Sequence, residues 1–144
     1  YLENYKLLSK IRINMPVYLF AGGIFEGKNS PENQAEEAVR FAISLLDIQH
    51  QLDQKLQRSI SLKIGINNGG PAIFGSLSTN RPHFHVIGDV VDMAQELILT
   101  SPPGKVHISQ SVHELIYTHH FNMQECEETI SRNGKGVKTF LVAP

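Results

Sequence analysis

Cysteine is almost missing from this sequence of 144 residues: Cys126 is the only one, so it has no partner for an internal disulfide and no zinc knuckle around it. That usage points to a reducing cytosol. An excess of charge is missing too. Thirteen Lys and Arg against fourteen Asp and Glu leave a formal net charge of −1, and no block of like charge marks a nucleic-acid groove or an acidic tail. No apolar run approaches the ~18 residues of a membrane span, and the opening "YLENYKLLSK" lacks the layout of a signal peptide. Internal repeats and low-complexity segments are absent. What remains, at 41% hydrophobic and 19% charged residues, is an ordinary soluble chain whose length buries roughly 70% of its unfolded surface around one core.

Spacing and turn chemistry outline the elements. "YLENYKLL" predicts the end of a helix. "KIRIN" and "VYLFAGGIF" predict two strands with Met15-Pro16 at the turn, because Pro16 has no N–H to give a sheet ladder. Ser30-Pro31-Glu32 is a helix start, with Ser as N-cap and Pro at the first helical position. Ala35, Ala38, Val39, Ala42, Leu45, Leu46 and Ile48 then keep helical spacing to about Leu56. "SISLKIGIN" and "AIFGSL" predict strands on either side of a "GGP" turn, and "HFHVIG" predicts a short strand feeding a helix with Asp89 as N-cap. "PPGKVHIS" reads as a turn and strand, "QSVHELIY" as a short helix, and the tail as a hairpin around Asn133-Gly134. Helices interspersed among hairpin-joined strands predict an α+β fold, a mixed sheet covered by helices on one side.

The stretch "FHVIGDVVDMAQELI", Phe84 to Ile98, raises a chemical question, because its helix carries Asp92 and Glu96 one turn apart. Like charges at that spacing cost an isolated helix a few tenths of a kcal/mol, so local stability does not select them. Other motifs are weaker. "GGIFEGKNS" has nearly the order of a phosphate-binding P-loop, but Asn29 stands where Ser or Thr is required and the helix starts late, at Pro31. Gly70 to Gly75 is followed by Ser76 in place of Lys. Of seven histidines, His83 and His85 would share one face of a strand, yet no Cys, Asp or Glu at ligand spacing completes a metal site; the seven read as scattered surface or half-buried residues. No Ser or Cys sits in a nucleophile elbow.

Four ordered blocks, "KIRINMPVYLFAGGIF", "LKIGINNGGPAIFGSLSTNRPHFHVIGDVVDMAQ", "PPGKVHISQSVHELI" and "NGKGVKTFLV", resemble the catalytic domain of class III adenylate and guanylate cyclases. The resemblance runs from about Lys10 to Val142, its most specific parts being the G-D-x-V-x-x-A helix start and the P-G-K-x-x-x-S turn. It implies a nucleotidyl cyclase fold, that is, a ferredoxin-like mixed sheet covered by helices (an α/β sandwich). The family's first strand, with one metal-binding Asp, would lie upstream of Tyr1. On this resemblance residues 1–144 are a single, partial catalytic domain.

Carried over residue by residue, the resemblance places substitutions at the family's working positions. The second metal-binding Asp, in an I-G-D-x-Y turn, aligns with Pro16, which has no side-chain ligand for a hard cation. The base-recognising positions align with Arg12 and His85, reproducing neither the adenylate nor the guanylate pair. The Asn and the transition-state Arg of the family helix align with Asp92 and Glu96. Two anions in place of an amide and a cation lower the local charge by three units, each worth roughly 3 kcal/mol against a phosphate charge at ~5 Å and an effective dielectric near 20, before discount for water. Phe74 and Ser78 stand where the family has small residues or glycine. In the tail Asn133 holds the place of a triphosphate-binding Lys and Lys135 remains.

The resemblance further implies a homodimer or a heterodimer with another cyclase domain, ATP or GTP as nucleotide, Mg²⁺ or Mn²⁺ where a partner restores activity, and a cytoplasmic setting, with attachment to a larger membrane-anchored protein among the family's arrangements. Nothing in it implies nucleic acid or direct membrane contact. Three readings follow: an impaired regulatory or structural half of a dimer, a cyclase active with a complementary partner, and a module that binds another ligand in the old cleft.

Overall fold

A computed structural model describes residues 4–14, 16–24, 29–76, 84–127, 130–132 and 135–144, with the backbone alone at 12–14, 84, 130–132 and 135. The elements are β1 (Leu8–Asn14), β2 (Val17–Gly22), α1 (Pro31–Leu56), β3 (Ile64–Ile66), β4 (Ile73–Ser76), β5 (Phe84–Ile87), α2 (Asp89–Thr100), β6 (Val106–Ser109), α3 (Gln110–Ile116), β7 (Asn122–Glu125), β8 (Ile130–Arg132), β9 (Lys135–Val137) and β10 (Thr139–Ala143).

The long helix starts where its sequence says it should. Ser30 Oγ accepts from the Asn33 amide at 3.3 Å, satisfying one of the amides that a helix start leaves unpaired. Pro31 follows, and the helix ends at Gln57 in a left-handed conformation. Its apolar stripe, Ala35, Val39, Ala42 and Leu46, is buried.

That stripe packs with α3 on one face of a four-stranded mixed sheet of order β3-β6-β10-β7. β3 runs parallel to β6, while β10 is antiparallel to both β6 and β7. Val106 and Ile108 of β6 and Phe140 and Val142 of β10 point into this core together with Val112 and Ile116 of α3. Strand alternation sends His107 and Ser109 to the opposite face, yet all four residues of β6 are buried. The opposite face is covered by α2, through Leu97 and Met93. Helices therefore cover both faces, α1 and α3 on one and α2 on the other, and not one side as the sequence predicts. A short strand with both apolar faces covered carries no alternation that would reveal this.

Of the predicted helix end "YLENYKLL", residues 1–3 lie outside the described residues, Asn4 is in a 3-10 turn, and Leu8 already pairs with Gly22 in the β1–β2 ladder. The preceding turn is held by α1, through the Leu7 amide donating to Glu37 Oε1 at 2.7 Å and the Tyr5 ring meeting Phe41 edge-on at 5.0 Å. β1 and β2 form the expected hairpin, with Pro16 in its turn; Met15 lies outside the described residues. The "SISLKIGIN" strand is shorter than predicted, only Ile64–Ile66. β7, "NMQE", has one apolar residue and no strand signal in sequence; backbone pairing with β10 makes it a strand. β8 and β9 pair antiparallel around Asn133-Gly134, which lie outside the described residues.

Candidate functional site

Two hairpins and one helix bring the sequence-derived positions toward one region. β1 runs beside β5, and β5 pairs with β4 so that Ile73 faces Ile87 and Gly75 faces His85. Arg12 in β1 stands opposite Leu19, next to a register shift between Lys10 and Arg12. His85 is half-buried and Pro16 is exposed.

β5 passes into α2 through Gly88. Its φ of +153° and the Pro71 carbonyl oxygen, 2.9 Å from where a Cβ would stand, leave no room for a side chain. Gly88 is also the N-cap, its carbonyl accepting from Val91 at 2.9 Å and from Asp92 at 3.3 Å. Asp89 is thus the first helical residue and not the cap, a correction that follows from the backbone bend occurring one residue earlier. A side-chain contact then holds the start of α2, with Asn67 Nδ2 donating to the Val90 carbonyl at 3.0 Å.

α2 lies unusually close to the sheet. A Cβ on Gly65 of β3 would come within 2.5 Å of the Ala94 carbonyl oxygen and 2.9 Å of the Ile98 nitrogen, so the helix backbone rests directly on a glycine. Burial of Met93 and Leu97 against the sheet turns the other side of the helix outward, where Asp89, Asp92, Gln95, Glu96 and Leu99 are exposed. Asp89 and Asp92 sit in the first turn, where the partial positive charge of the helix start favours carboxylates. That local effect offsets the repulsion expected from the i,i+4 pair at Asp92, but not at Glu96, one turn further along. The outward face of α2 is consequently anionic where it borders β5. Lys135 opens β9 opposite Arg132. His83, Ser78, Gly27 and Lys28 lie outside the described residues.

A buried polar group absent from the sequence reading lies behind α2. His107, 3% exposed, donates from Nδ1 to the Leu97 carbonyl at 3.0 Å, with Thr100 Oγ1 3.2 Å from the same nitrogen. Its Nε2 faces the Cys126 thiol at 3.7 Å. Burial pushes the ring below its ordinary pKa, and the Leu97 carbonyl opposes that shift in part. A His in the apolar-flanked run "KVHIS" is the only trace it leaves in sequence. The ring ties β6 to the last turn of α2, so the helix is held by Gly88 and Asn67 at one end and His107 at the other.

Comparison with known proteins bears on this arrangement. The family model described as "Adenylate and Guanylate cyclase catalytic domain" matches residues 2–144. The soluble guanylate cyclase gcy-37 of Caenorhabditis elegans is 32% identical over 118 residues, which is 81% of this chain but only 16% of that protein. Among solved structures, the guanylate cyclase domain of RhGC from Catenaria anguillulae, in complex with GTP, superposes with a TM-score of 0.82 at 28% identity, covering 99% of this chain and 75% of that one. The adenylyl cyclase CyaB from P. aeruginosa shares the fold, with a TM-score of 0.84 at 20% identity over 99% of this chain and 74% of that one.

Proposed function

Because the chain belongs to the adenylate and guanylate cyclase catalytic domain family, we propose that it is a catalytically impaired, regulatory or structural half of a cyclase dimer. The observation that carries this reading is the anionic outer face of α2, with Asp92 and Glu96 exposed one turn apart. A transition state that gathers negative charge on a phosphate is stabilised chiefly by preorganised positive charge, and this helix offers the opposite sign. Replacing such a cation by an anion does more than remove a contact; it adds repulsion at the reacting atoms.

The metal chemistry of the family finds no support in the residues present. Mg²⁺ and Mn²⁺ require hard oxygen ligands in fixed geometry. Pro16, exposed at the β1–β2 turn, has no side-chain oxygen, and no group of three or more His, Cys, Asp or Glu suited to a metal occurs among the described residues. The described residues by themselves do not complete a ligand set for a catalytic divalent ion. Arg12, His85 and Lys135 are retained as candidate nucleotide contacts, and they give no basis for ATP over GTP. No helix among the described residues is long and apolar enough to cross a membrane; attachment to a membrane-anchored protein remains part of the proposal only.

The test is a cyclase assay on the purified chain, with ATP and with GTP, in Mg²⁺ and in Mn²⁺. The expected outcome is no cyclic nucleotide above the protein-free blank. Turnover at ordinary cyclase rates, ~1 per second or faster, overturns the reading. The same assay on the chain co-expressed with complete cyclase domains separates a purely regulatory half from one that contributes Arg12, His85 or Lys135 to a shared site.

A further inference from the structure

A thiol outside the nucleotide positions lies behind α2. Cys126 follows β7 and is half-buried, and its Sγ stands 3.7 Å from Nε2 of His107. Which form of the ring the thiol meets is fixed by the ring's other nitrogen. Nδ1 lies 3.0 Å from the Leu97 carbonyl, which can only accept, and 3.2 Å from Thr100 Oγ1, whose own hydrogen goes to the Glu96 carbonyl at 3.0 Å. Both contacts put the proton on Nδ1, so Nε2 carries the lone pair and accepts from Cys126 Sγ–H. Burial favours the neutral ring, which preserves that lone pair at pH 7.

A second, independent feature borders the same thiol. Thr139 is wholly buried, and its Oγ1 has no hydrogen-bond partner among the described residues, a state that folded chains normally avoid. Phe140 and Val142 of β10 point into the α1–α3 core, so Thr139 points to the opposite face, the side of His107. One further step of the β10–β7 register sets Thr139 beside Cys126, whose amide donates to the Thr139 carbonyl at 2.9 Å. Neighbours of that kind hold their Cβ atoms about 5 Å apart. The orphan hydroxyl is therefore next to the sulfur and lacks an acceptor there.

We propose that Cys126 is a modification site for hydrogen peroxide, with His107 as the base and Thr139 as the group that holds the added oxygen. The Sγ proton passes to His107 Nε2, and the thiolate attacks one peroxide oxygen. The O–O bond breaks, and hydroxide leaves and takes the proton from Nε2 as water. Sulfur is oxidised by two electrons and peroxide is reduced by two. The product is the sulfenic acid of Cys126, whose new oxygen accepts from Thr139 Oγ1. No second cysteine exists in the sequence to convert it to an internal disulfide.

The test treats the purified chain, folded and in guanidinium, with a small excess of hydrogen peroxide at pH 7. Sulfenic acid is trapped with a 1,3-diketone and read by mass spectrometry of the chain and its peptides. A free thiol is only about 3% thiolate at that pH, so activation has a ceiling of roughly thirtyfold. The folded chain is expected to react about tenfold faster than the unfolded one, at Cys126, and dithiothreitol to restore the thiol. His107→Gln is expected to lose that advantage. Thr139→Val, which removes the hydroxyl and keeps the shape, is expected to shorten the life of the sulfenic acid. Circular dichroism checks the fold of each variant; where one fails to fold, the comparison of folded with unfolded chain decides. Four results overturn the proposal: a folded chain no faster than the unfolded one, as a merely shielded thiol would be; oxidation confined to methionine; His107→Gln reacting as fast as the unaltered chain; or a sulfenic acid equally long-lived in Thr139→Val.

Discussion

The two sides of the sheet answer to different constraints. On the α1–α3 side, Val39, Val106, Ile108, Val112, Ile116 and Val142 are almost wholly withdrawn from water, and each side chain is fixed by its neighbours. On the far side, α2 is fixed only along its inner face, while its outer face and the β4–β5 hairpin show carboxylates and isoleucines to solvent. A packed interior resists changes of even one methylene, whereas an exposed helix face tolerates reversal of charge at little cost in stability. The contrast shows how the framework of a cyclase domain leaves the outer face of α2 free to vary, because the residues that hold the fold lie on the helix's inner face and in the α1–α3 core.

The comparison can be broken most severely from the core. Ile108→Ala removes a fully buried side chain between α1 and α3 and is expected to cost about 2–5 kcal/mol, read as a lowered urea midpoint. Gly65→Ala comes next. It forces a Cβ into the Ala94 carbonyl and the Ile98 amide, and is expected to cost about 1–3 kcal/mol by lifting α2 from the sheet, which the same denaturation measures.

A smaller effect comes from pH. The His107 ring has an ordinary pKa of 6.5, and burial holds it lower in the folded chain. Above 6.5 neither state carries the proton. As pH falls through 6.5 the unfolded chain binds a proton that the folded chain does not, so stability drops until the buried ring titrates too. Urea midpoints at about pH 8 and about pH 5.5 should differ in that direction, with the difference reduced in His107→Gln.

The smallest change in stability is expected from the largest change in charge. Asp92→Asn with Glu96→Arg should leave the urea midpoint within about 0.5 kcal/mol while raising nucleotide affinity, measured by calorimetry with ATP and GTP. Unchanged affinity would place the nucleotide positions elsewhere, or make Pro16 the dominant loss.

Much of the fold was legible before the structure. Ser30-Pro31 announced α1 and its stripe carried it to Leu56, because a cap and a helical period are local properties of the chain. The β1–β2 hairpin and the β6–α3 unit were equally local. The candidate site could be read from the family blocks only as a set of expected positions, not as a surface. Which face of α2 meets solvent depends on Gly65 and Leu97 meeting across many residues, and the buried role of His107 depends on Leu97 and Cys126 reaching it from different elements.

The sequence by itself determined the elements with strong local signals, the family and the unusual charge at positions 92 and 96. Only the tertiary structure decided that β7 is a strand, that Gly88 and not Asp89 caps α2, and that helices cover both faces of the sheet. Those outcomes depend on backbone pairing, a bend against the Pro71 carbonyl and close approach at Gly65. Each is a contact between segments distant in the chain, which no local pattern encodes.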